Sequence, residues 1–257
     1  MEAFFTKNGR SFRANLCQGI DISLGIGTPG PRAWYVADPI IEPVRSGSFV
    51  GSVAEGSSVN FFNIHFNPHG HGTHTECVGH VSRERIGIDE RLNRYFFWAT
   101  LVSIHPTQIT QADGRGAEAG DWVITAEQLR AATGGGSVNE ALVIRTWGSA
   151  DKRTHQYSNT NPPYLSPEVG EWLNDQGVQH LLIDLPSVDR EQDGGKLSVH
   201  HRFWSTNENY LSTKTITELI CVPATLPDGE YLLNLQVSSF QNDAAPSRPV
   251  LHPIEPV

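Results

Sequence analysis

The apolar positions of the chain form short runs that predict β-strands. Phe96–His105 (FFWATLVSIH), Ala141–Trp147 (ALVIRTW) and Gln179–Leu185 (QHLLIDL) are rich in branched and aromatic residues, which favours buried strands. Ile216–Val222 and Tyr231–Val237 predict two more strands, separated by a Pro-Asp-Gly turn.

Two segments that precede such runs carry helix signals. Thr125-Ala-Glu-Gln128 fits a capping box, and the helix that it begins ends near the glycines at 134–136. Ser166-Pro167 begins a second helix, with proline at its tolerated first position, and Gly177 ends it. A helix followed by an apolar strand therefore occurs twice, which predicts an α/β fold.

The first part of the chain is less regular. Gly19–Leu24 alternates like a short strand, and Ser48–Phe66 predicts one or two strands that lead to His69. Residues 1–18 show no clear pattern. No linker or charge run divides the sequence, so we expect a single domain over residues 1–257.

Composition narrows the classes of partner. The formal net charge is −9 and the 19 basic residues are scattered, which argues against nucleic acid or an anionic membrane. No apolar run approaches the length of a membrane span, and we expect no signal peptide. Cys17, Cys77 and Cys221 are far apart and odd in number, so they predict no disulfide framework and favour a cytoplasmic location.

The candidate chemistry is concentrated in residues 69–80 (HGHGTHTECVGH), which hold four of the 11 histidines. Imidazole and carboxylate groups suit zinc, manganese or iron(II) as ligands. His74 and Glu76 are two residues apart, so on a strand they would face the same side. The glycines disfavour the HExxH helix of a metalloprotease. A solvated turn is the alternative, but four histidines with an acid at period two favour a metal site.

Cys77 lies within the same stretch and has two interpretations. Its thiol is either a nucleophile or soft ligand, or it fills space. We favour the second interpretation, because nothing in the sequence marks the thiol as activated.

Two later segments add candidate groups. Asp184 and Asp189 follow a predicted strand, where acids serve either an active site or as turn and cap formers. His200 and His201 are adjacent, and Glu218 lies in a β-rich run where a buried carboxylate would need a cation as partner. An exposed position on the strand is the ordinary alternative for Glu218.

Four motifs together resemble one known family. They are His-Gly-Thr-His-x-Glu-x-x-x-His (71–80), Ile-Asp-x-x-Ser-x-Asp (183–189), the pair at 200–201 and Thr-Glu-Leu (217–219). The combination resembles the metal-dependent cyclase/kynurenine formamidase-like hydrolases over Ile20 to Pro249. The resemblance implies a swivelling β/β/α fold, with a mixed central sheet or a partly open barrel. It also implies one or two divalent ions, zinc or manganese, and a homodimer or homotetramer.

The resemblance implies roles by position. His74 and Glu76 correspond to metal ligands, and His80 corresponds to the acid–base residue. For the later ligands it implies Glu218 and one of the adjacent histidines. We assign His201 to the metal and His200 to the catalytic group, and the reverse assignment stays open.

The motif departs from the family pattern at three positions. Glu76 stands where the family usually has aspartate, and Val78 where it has proline. The first family histidine corresponds to Gly70, so either His69 or His71 must take its place. We favour His69 as the metal ligand, because a one-residue bulge would bring it in.

The predicted function is hydrolysis of an amide, formamide or lactam C–N bond in a small, aromatic substrate. A bound divalent ion lowers the pKa of its water to about 7, and His80 would move the proton to the leaving nitrogen. Trp147, Phe203 and Trp204 are candidates for an aromatic wall, with core packing as the alternative. Alternative functions are a catalytically silent metal- or ligand-binding protein and a metal-dependent cyclase or dehydratase.

Overall fold

The structure is a computed structural model that describes residues 1–112, 114, 116–146, 151–207 and 210–257. Its strands are β1 (Glu2–Lys7), β2 (Arg10–Asn15), β3 (Ile20–Asp21), β4 (Ile40–Pro43), β5 (Arg45–Ser46), β6 (Phe49–Val50), β7 (Phe62–His65), β8 (His74–Glu76), β9 (Phe96–Ile104), β10 (Thr107–Gln108), β11 (Trp122–Ile124), β12 (Ala141–Thr146), β13 (Tyr164–Leu165), β14 (His180–Ile183), β15 (Thr215–Glu218), β16 (Gly229–Asn234), β17 (Ala244–Pro246) and β18 (Val250–Pro256). The α-helices are α1 (Ile88–Arg91), α2 (Ala126–Ala132), α3 (Glu168–Asp175) and α4 (Ser198–Trp204), and 3-10 helices cover Val53–Glu55 and Val78–Val81.

A mixed sheet forms the centre of the fold. Its strand order is β1-β2-β18-β16-β9-β12-β14-β15-β8-β17, and β3 pairs with β18. The four neighbours β9, β12, β14 and β15 are parallel, whereas the strands that flank them pair antiparallel. The predicted α/β class with a mixed central sheet is therefore confirmed. The sheet is an open one, because its order begins at β1 and ends at β17.

The parallel strands are buried, which explains their continuous apolar sequences. Every residue of β12 and β14 is buried. Helix α2 packs on β9, and α3 packs on both α2 and α4. Gly170 allows the close approach of α3 and α4, since a Cβ there would lie 2.7 Å from the Cβ of Arg202. The main core draws on residues from Ile22 to Leu251.

The local helix signals are confirmed. The Thr125 hydroxyl accepts a hydrogen bond from the Gln128 amide at 3.2 Å, and the Gln128 side chain accepts one from the Thr125 amide at 3.0 Å. Helix α3 begins one residue later than expected, because Pro167 is its cap. Gly177 follows the end of α3 with a φ of 75°.

The sequence pattern missed the strands at the two ends of the chain. β1 and β2 form an antiparallel hairpin in the first 18 residues, and β18 joins β2 to the central sheet. Phe5 and Phe12 of this hairpin pack edge-on against Trp98 of β9, with ring centroids 5.4 and 5.1 Å away. Within the described ranges, no helix has the length and apolar character needed to cross a lipid bilayer.

Candidate metal centre

Strand β8 supplies the innermost groups of the candidate site. Its side chains alternate, so His74 and Glu76 share one face, while the Thr75 hydroxyl faces the other side, 2.8 Å from that of Thr217. β8 pairs antiparallel with β15, which places Glu218 opposite His74. His74 Nε2 lies 3.4 Å from Glu218 Oε2. The structure thus brings the histidine-rich stretch and Glu218 together, as the sequence predicted.

His69 reaches the cluster from a turn, and not from the strand bulge that the sequence suggested. The turn requires glycine at position 72, where φ is 77° and a Cβ would lie 2.8 Å from the Leu24 carbonyl oxygen. His69 Nδ1 lies 3.2 Å from Glu76 Oε2. The backbone amide of Gly70 donates to Asn67, which closes the turn.

His71, the competitor of His69, is bonded elsewhere. Its Nδ1 accepts a hydrogen bond from the Asn67 amide at 2.9 Å, and its Nε2 lies 2.7 Å from the Ala37 carbonyl oxygen. Both ring nitrogens therefore have structural partners. Of the two candidates, the structure brings only His69 to the cluster.

His80 lies at the open side of the cluster. It belongs to the 3-10 helix that follows β8, and its Nδ1 lies 3.7 Å from Glu76 Oε2. Its side chain is 29% exposed, whereas that of Glu76 is 1% exposed. The rings of His80 and His69 are stacked at a tilt, with centroids 4.4 Å apart. Of these two groups, His80 is therefore the one that a solvent molecule can reach.

The adjacent histidines of α4 face different surroundings, and this corrects the assignment of His201. His200 is buried, and its Nε2 lies 3.0 Å from Glu76 Oε1. His201 Nδ1 lies 2.7 Å from the Thr206 hydroxyl instead. Neighbouring residues of a helix point about 100° apart, so only one of the pair can face the cluster. The structure places His200 there.

The acidic segment after β14 serves both as a helix cap and as part of the cluster. The Asp189 carboxylate accepts hydrogen bonds from the amides of Val199 at 2.9 Å and His200 at 3.2 Å, at the start of α4. The same carboxylate lies 2.6 Å from His200 Nδ1. Glu218 Oε1 accepts a bond from the Val188 amide at 3.0 Å. Asp189 therefore acts as a helix cap and also contacts His200 of the cluster.

The contacts of Asp184 and Cys77 indicate structural roles for both side chains. Asp184 accepts hydrogen bonds from the amide and the hydroxyl of Thr146, and its Oδ2 lies 2.5 Å from Lys152 Nζ. The Cys77 side chain is fully buried, and its Sγ lies 3.6 Å from the Ile86 carbonyl oxygen. Burial raises the pKa of the Cys77 thiol to about 11, which supports a space-filling role over a nucleophilic one.

The proposed aromatic wall is not formed by the residues suggested for it. Phe203 and Trp204 are buried in the main core. Trp204 packs against the His200 ring at 5.3 Å, so it supports the cluster from the protein interior. Trp147 lies outside the described residues.

Sequence reasoning missed Asp243. This residue directly precedes β17, which pairs with β8, and its Oδ2 lies 2.8 Å from His69 Nε2 and 3.3 Å from His80 Nδ1. Asp243 follows a polar stretch with no periodic pattern. No signal in the sequence marked it, because its position depends on strand pairing.

Histidines and carboxylates in the cluster shift one another's protonation. Burial lowers the pKa of His69, but the carboxylates of Asp243 and Glu76 outweigh it and raise this pKa to about 10. The same competition raises the pKa of His200 well above its ordinary value. Burial raises the pKa of Glu76, but the neighbouring histidines, His80 first, hold it well below its usual range. Protons on imidazoles therefore balance the carboxylates of the cluster.

A divalent cation could take the place of these protons. Imidazole binds metal only in its neutral form, and Glu76 and Glu218 would then be buried charges that need a cation. Two atoms in the cluster, His74 Nε2 and Glu76 Oε2, make no hydrogen bond among the described residues, although each lies 3.2–3.4 Å from another ligand atom of the cluster. Buried polar atoms rarely lack a partner, so these two atoms indicate a ligand.

The donor set suits zinc, manganese or iron(II), which take imidazole and carboxylate ligands. Three overlapping sets of ligand atoms lie within 4.8 Å of one another: His69, His74 and Glu76; Glu76, His80 and His200; and His69, His80 and Asp243. The residues present therefore fit a divalent cation, and the overlap allows one or two.

The open mixed sheet and the buried histidine–carboxylate cluster together define an α/β protein with a candidate metal centre. The chain belongs to the putative cyclase family, whose family model matches residues 20–190. The resemblance seen in the sequence motifs is thereby confirmed.

Individual relatives agree with the family. The chain is 27% identical over 119 residues to the kynurenine formamidase of Bacillus mycoides (strain KBAB4), a match that covers 45% of this chain and 50% of the relative. The chain thus spans about half the length of the curated relatives it matches.

Solved structures show the same fold. A structure described as a potential metal-dependent hydrolase with cyclase activity superposes with a TM-score of 0.64 and 14% identity, covering 91% of this chain and 97% of the other. Isatin hydrolase A from Labrenzia aggregata, bound to benzyl benzoate, gives a TM-score of 0.62 and 14% identity, with 91% and 93% covered.

Proposed function

We propose that the protein is a metal-dependent hydrolase that cleaves an amide, formamide or lactam C–N bond of a small aromatic molecule. The observation that carries this proposal is a pair of buried atoms, His74 Nε2 and Glu76 Oε2, that face other groups of the cluster but make no hydrogen bond within the described part of the chain, in a cluster that opens on one side. Relatives named kynurenine formamidase and isatin hydrolase support the class of bond and of substrate.

Three histidines each present one ring nitrogen to the cluster. The other nitrogen has an outer partner in every case: Asp243 for His69, the Gly72 carbonyl for His74, and Asp189 for His200. This arrangement is typical of metal-binding histidines, because the outer acceptor fixes the tautomer and the ring orientation. With Glu76 and Glu218, these three residues would hold the cation. His200 lies between two carboxylates and is buried, which supports binding over proton transfer.

When bound, a divalent cation acts as a Lewis acid that polarises a carbonyl group and acidifies water. His80 stands at the opening, where a substrate would enter, within reach of Glu76 and Asp243. We infer that His80 accepts a proton from the attacking water and returns it to the leaving nitrogen. Water adds to the carbonyl carbon and the C–N bond breaks, which yields a carboxylic acid and an amine.

Two aromatic rings, of which Phe66 is half-buried and Phe240 is exposed, support the proposal of a flat substrate. Phe66 and Phe240 lie with their centroids 6.1 Å apart, and each precedes a residue of the open side, His69 or Asp243, by three positions. Phe240 is 43% exposed. An aromatic substrate could stack against such rings, which gain from burying apolar area.

Metal removal tests the proposal. The purified protein is treated with a chelator and assayed on an N-formyl anilide, an aromatic lactam and an aryl ester, before and after addition of Mn²⁺ or Zn²⁺. We expect activity to be lost on chelation and restored by one of the ions. Glu76→Gln should stay inactive with metal added, whereas Glu230→Gln, which alters a surface ion pair with Lys7, should behave as the parent.

Activity that is indifferent to the chelator would contradict the proposal. So would a product formed by ring closure or by loss of water, which would indicate a cyclase or dehydratase.

Several finer statements stay predictions. We propose zinc or manganese as the metal, a single domain over residues 1–257, a cytoplasmic location, and a homodimer or homotetramer. Metal analysis of the purified protein and light scattering would test the first and the last.

A further inference from the structure

Asp243 lies outside the part of the chain that the family model matches, residues 20–190. Its backbone is held firmly beside the site, because its carbonyl oxygen accepts a hydrogen bond from the Cys77 amide at 3.0 Å. β17, which begins at the next residue, continues the pairing with β8. The sheet edge thus places a carboxylate directly beside the histidine-rich stretch.

One carboxylate oxygen of Asp243 contacts the imidazole rings of both His69 and His80. Oδ2 lies 2.8 Å from His69 Nε2 and 3.3 Å from His80 Nδ1. The carboxylate is partly buried, with a side-chain exposure of 25%. A hydrogen bond to an ionised acceptor is stronger than a neutral one, so this contact constrains the rings that it joins.

The backbone of the 3-10 helix leaves room for this carboxylate. A Cβ at Gly79 would lie 3.2 Å from the Cβ of Asp243 and 2.1 Å from the Ile86 carbonyl oxygen. Only glycine allows the helix to approach both groups so closely. The packing of the segments that hold Gly79, Ile86 and Asp243 therefore fixes the position of the Asp243 carboxylate.

His69 needs such a partner more than the other histidines do. His74 is fixed by a strand and His200 by a helix, whereas His69 comes from a turn. With Nε2 donating its proton to Asp243, His69 keeps a free lone pair on Nδ1, which faces Glu76 Oε2 at 3.2 Å. This is the tautomer that can bind a cation on the inner side.

We propose that Asp243 is a positioning residue that fixes the tautomer and orientation of His69 and thereby strengthens cation binding. The inference rests on the cation site of the proposed function, but not on the reaction catalysed there. It assigns to the site a residue that lies outside both the sequence motif and the family match.

The test compares the cation affinity of apo-protein variants. Parent, Asp243→Asn, Asp243→Ala and the control Asp21→Asn are titrated with Mn²⁺ and with Zn²⁺ against a chromophoric chelator. Asp21 is a suitable control because it is an exposed carboxylate paired with Arg248. Loss of an outer partner typically weakens metal binding by about 10–100-fold, and we expect this of Asp243→Ala. Asp243→Asn should lose less, since its amide oxygen can still accept the His69 proton.

A second measurement reports on the proton of His69 Nε2 and on its hydrogen bond to residue 243. Long-range proton–nitrogen NMR spectra of the zinc-loaded protein should show His69 protonated at Nε2 in the parent and in Asp243→Asn. We expect a different Nε2 shift in Asp243→Ala, because the proton on this nitrogen loses its carboxylate acceptor. Thermal unfolding of the apo-proteins establishes that all variants are folded.

Equal affinities, within a factor of about two, for the parent and Asp243→Ala would overturn the inference. So would a metal-loaded structure in which an Asp243 oxygen lies about 2.0–2.2 Å from the ion, the distance of a direct ligand. If Asp243→Ala binds the cation less tightly but no substrate is hydrolysed even by the parent, the inference stands and the proposed hydrolase activity fails.

Discussion

The two ends of the parallel pair β14 and β15 both carry buried histidine contacts, and they differ in kind. At the amino-terminal ends, His180 Nδ1 lies 2.9 Å from the Thr215 hydroxyl, and the ring packs on Phe97 at 4.0 Å. At the carboxyl-terminal ends, Glu218 faces His74, and the Asp189 carboxylate contacts the His200 ring. One end is a packed and neutral part of the core, and the other is the candidate metal centre.

Burial alone does not distinguish these ends. His180 and His200 are 5% and 2% exposed. Burial, followed by the charge of Arg94, lowers the pKa of His180 to about 4. For His200 the neighbouring carboxylates outweigh burial and raise the pKa well above its ordinary value. The carboxylates, and not the depth of the histidine, therefore mark the site.

The largest expected effect is the loss of a carboxylate at the carboxyl-terminal end. Glu218→Gln keeps the size of the side chain and its bond to the Val188 amide, but removes the charge that faces His74. We expect cation affinity to fall by more than the roughly 10–100-fold typical of outer residues, and activity to be lost with it. Metal content after dialysis measures this. Glu42→Gln, at an exposed position of β4, is the control. Metal retention by Glu218→Gln would show that this carboxylate does not distinguish the two ends of the strands.

A smaller effect is expected at the opening of the same site. His80→Ala removes the proposed proton-transfer group, so we expect the rate of hydrolysis to fall by roughly 10²–10⁴-fold. Cation affinity should change by only a few-fold, because His80 stands outside the proposed ligand set. His65→Gln, an exposed histidine of β7, should change neither quantity. Loss of the cation in His80→Ala would show that His80 is a ligand instead.

The smallest effect concerns stability at the amino-terminal end. His180 takes up its proton near pH 6.5 when unfolded, but only at about 4 when folded. Below pH 6.5 the unfolded state therefore binds more protons, and the free energy of unfolding falls as the pH falls. The contribution is about 2 kcal/mol by pH 5 and about 3 kcal/mol by pH 4.

His180→Gln should remove this contribution, because glutamine does not titrate. Urea unfolding of parent and variant at pH 7 and pH 5, with chelator present, measures the difference. Cation affinity at pH 7 should be unchanged. Equal pH dependence in the two proteins would show that the pKa of His180 is the same in the folded and unfolded states.

Local features of the sequence were sufficient for part of the fold. The capping box of Thr125 and Gln128 lies within four residues, so its hydrogen bonds follow from local geometry. The buried central strands were visible because both of their faces are apolar. The β1–β2 hairpin was not visible, since its aromatic residues find their partner, Trp98, only when the sheet forms.

Residue types and spacing were sufficient to predict the candidate ligand types and the relation of His74 to Glu76, because the period of a strand fixes which side chains share a face. Tertiary structure decided that His69 and His200, and not His71 and His201, reach the cluster. It also decided that carboxylates 189 and 243 join Glu218 around them. Strand pairing and the rotation of α4 set these positions, and both depend on packing between segments far apart in the chain.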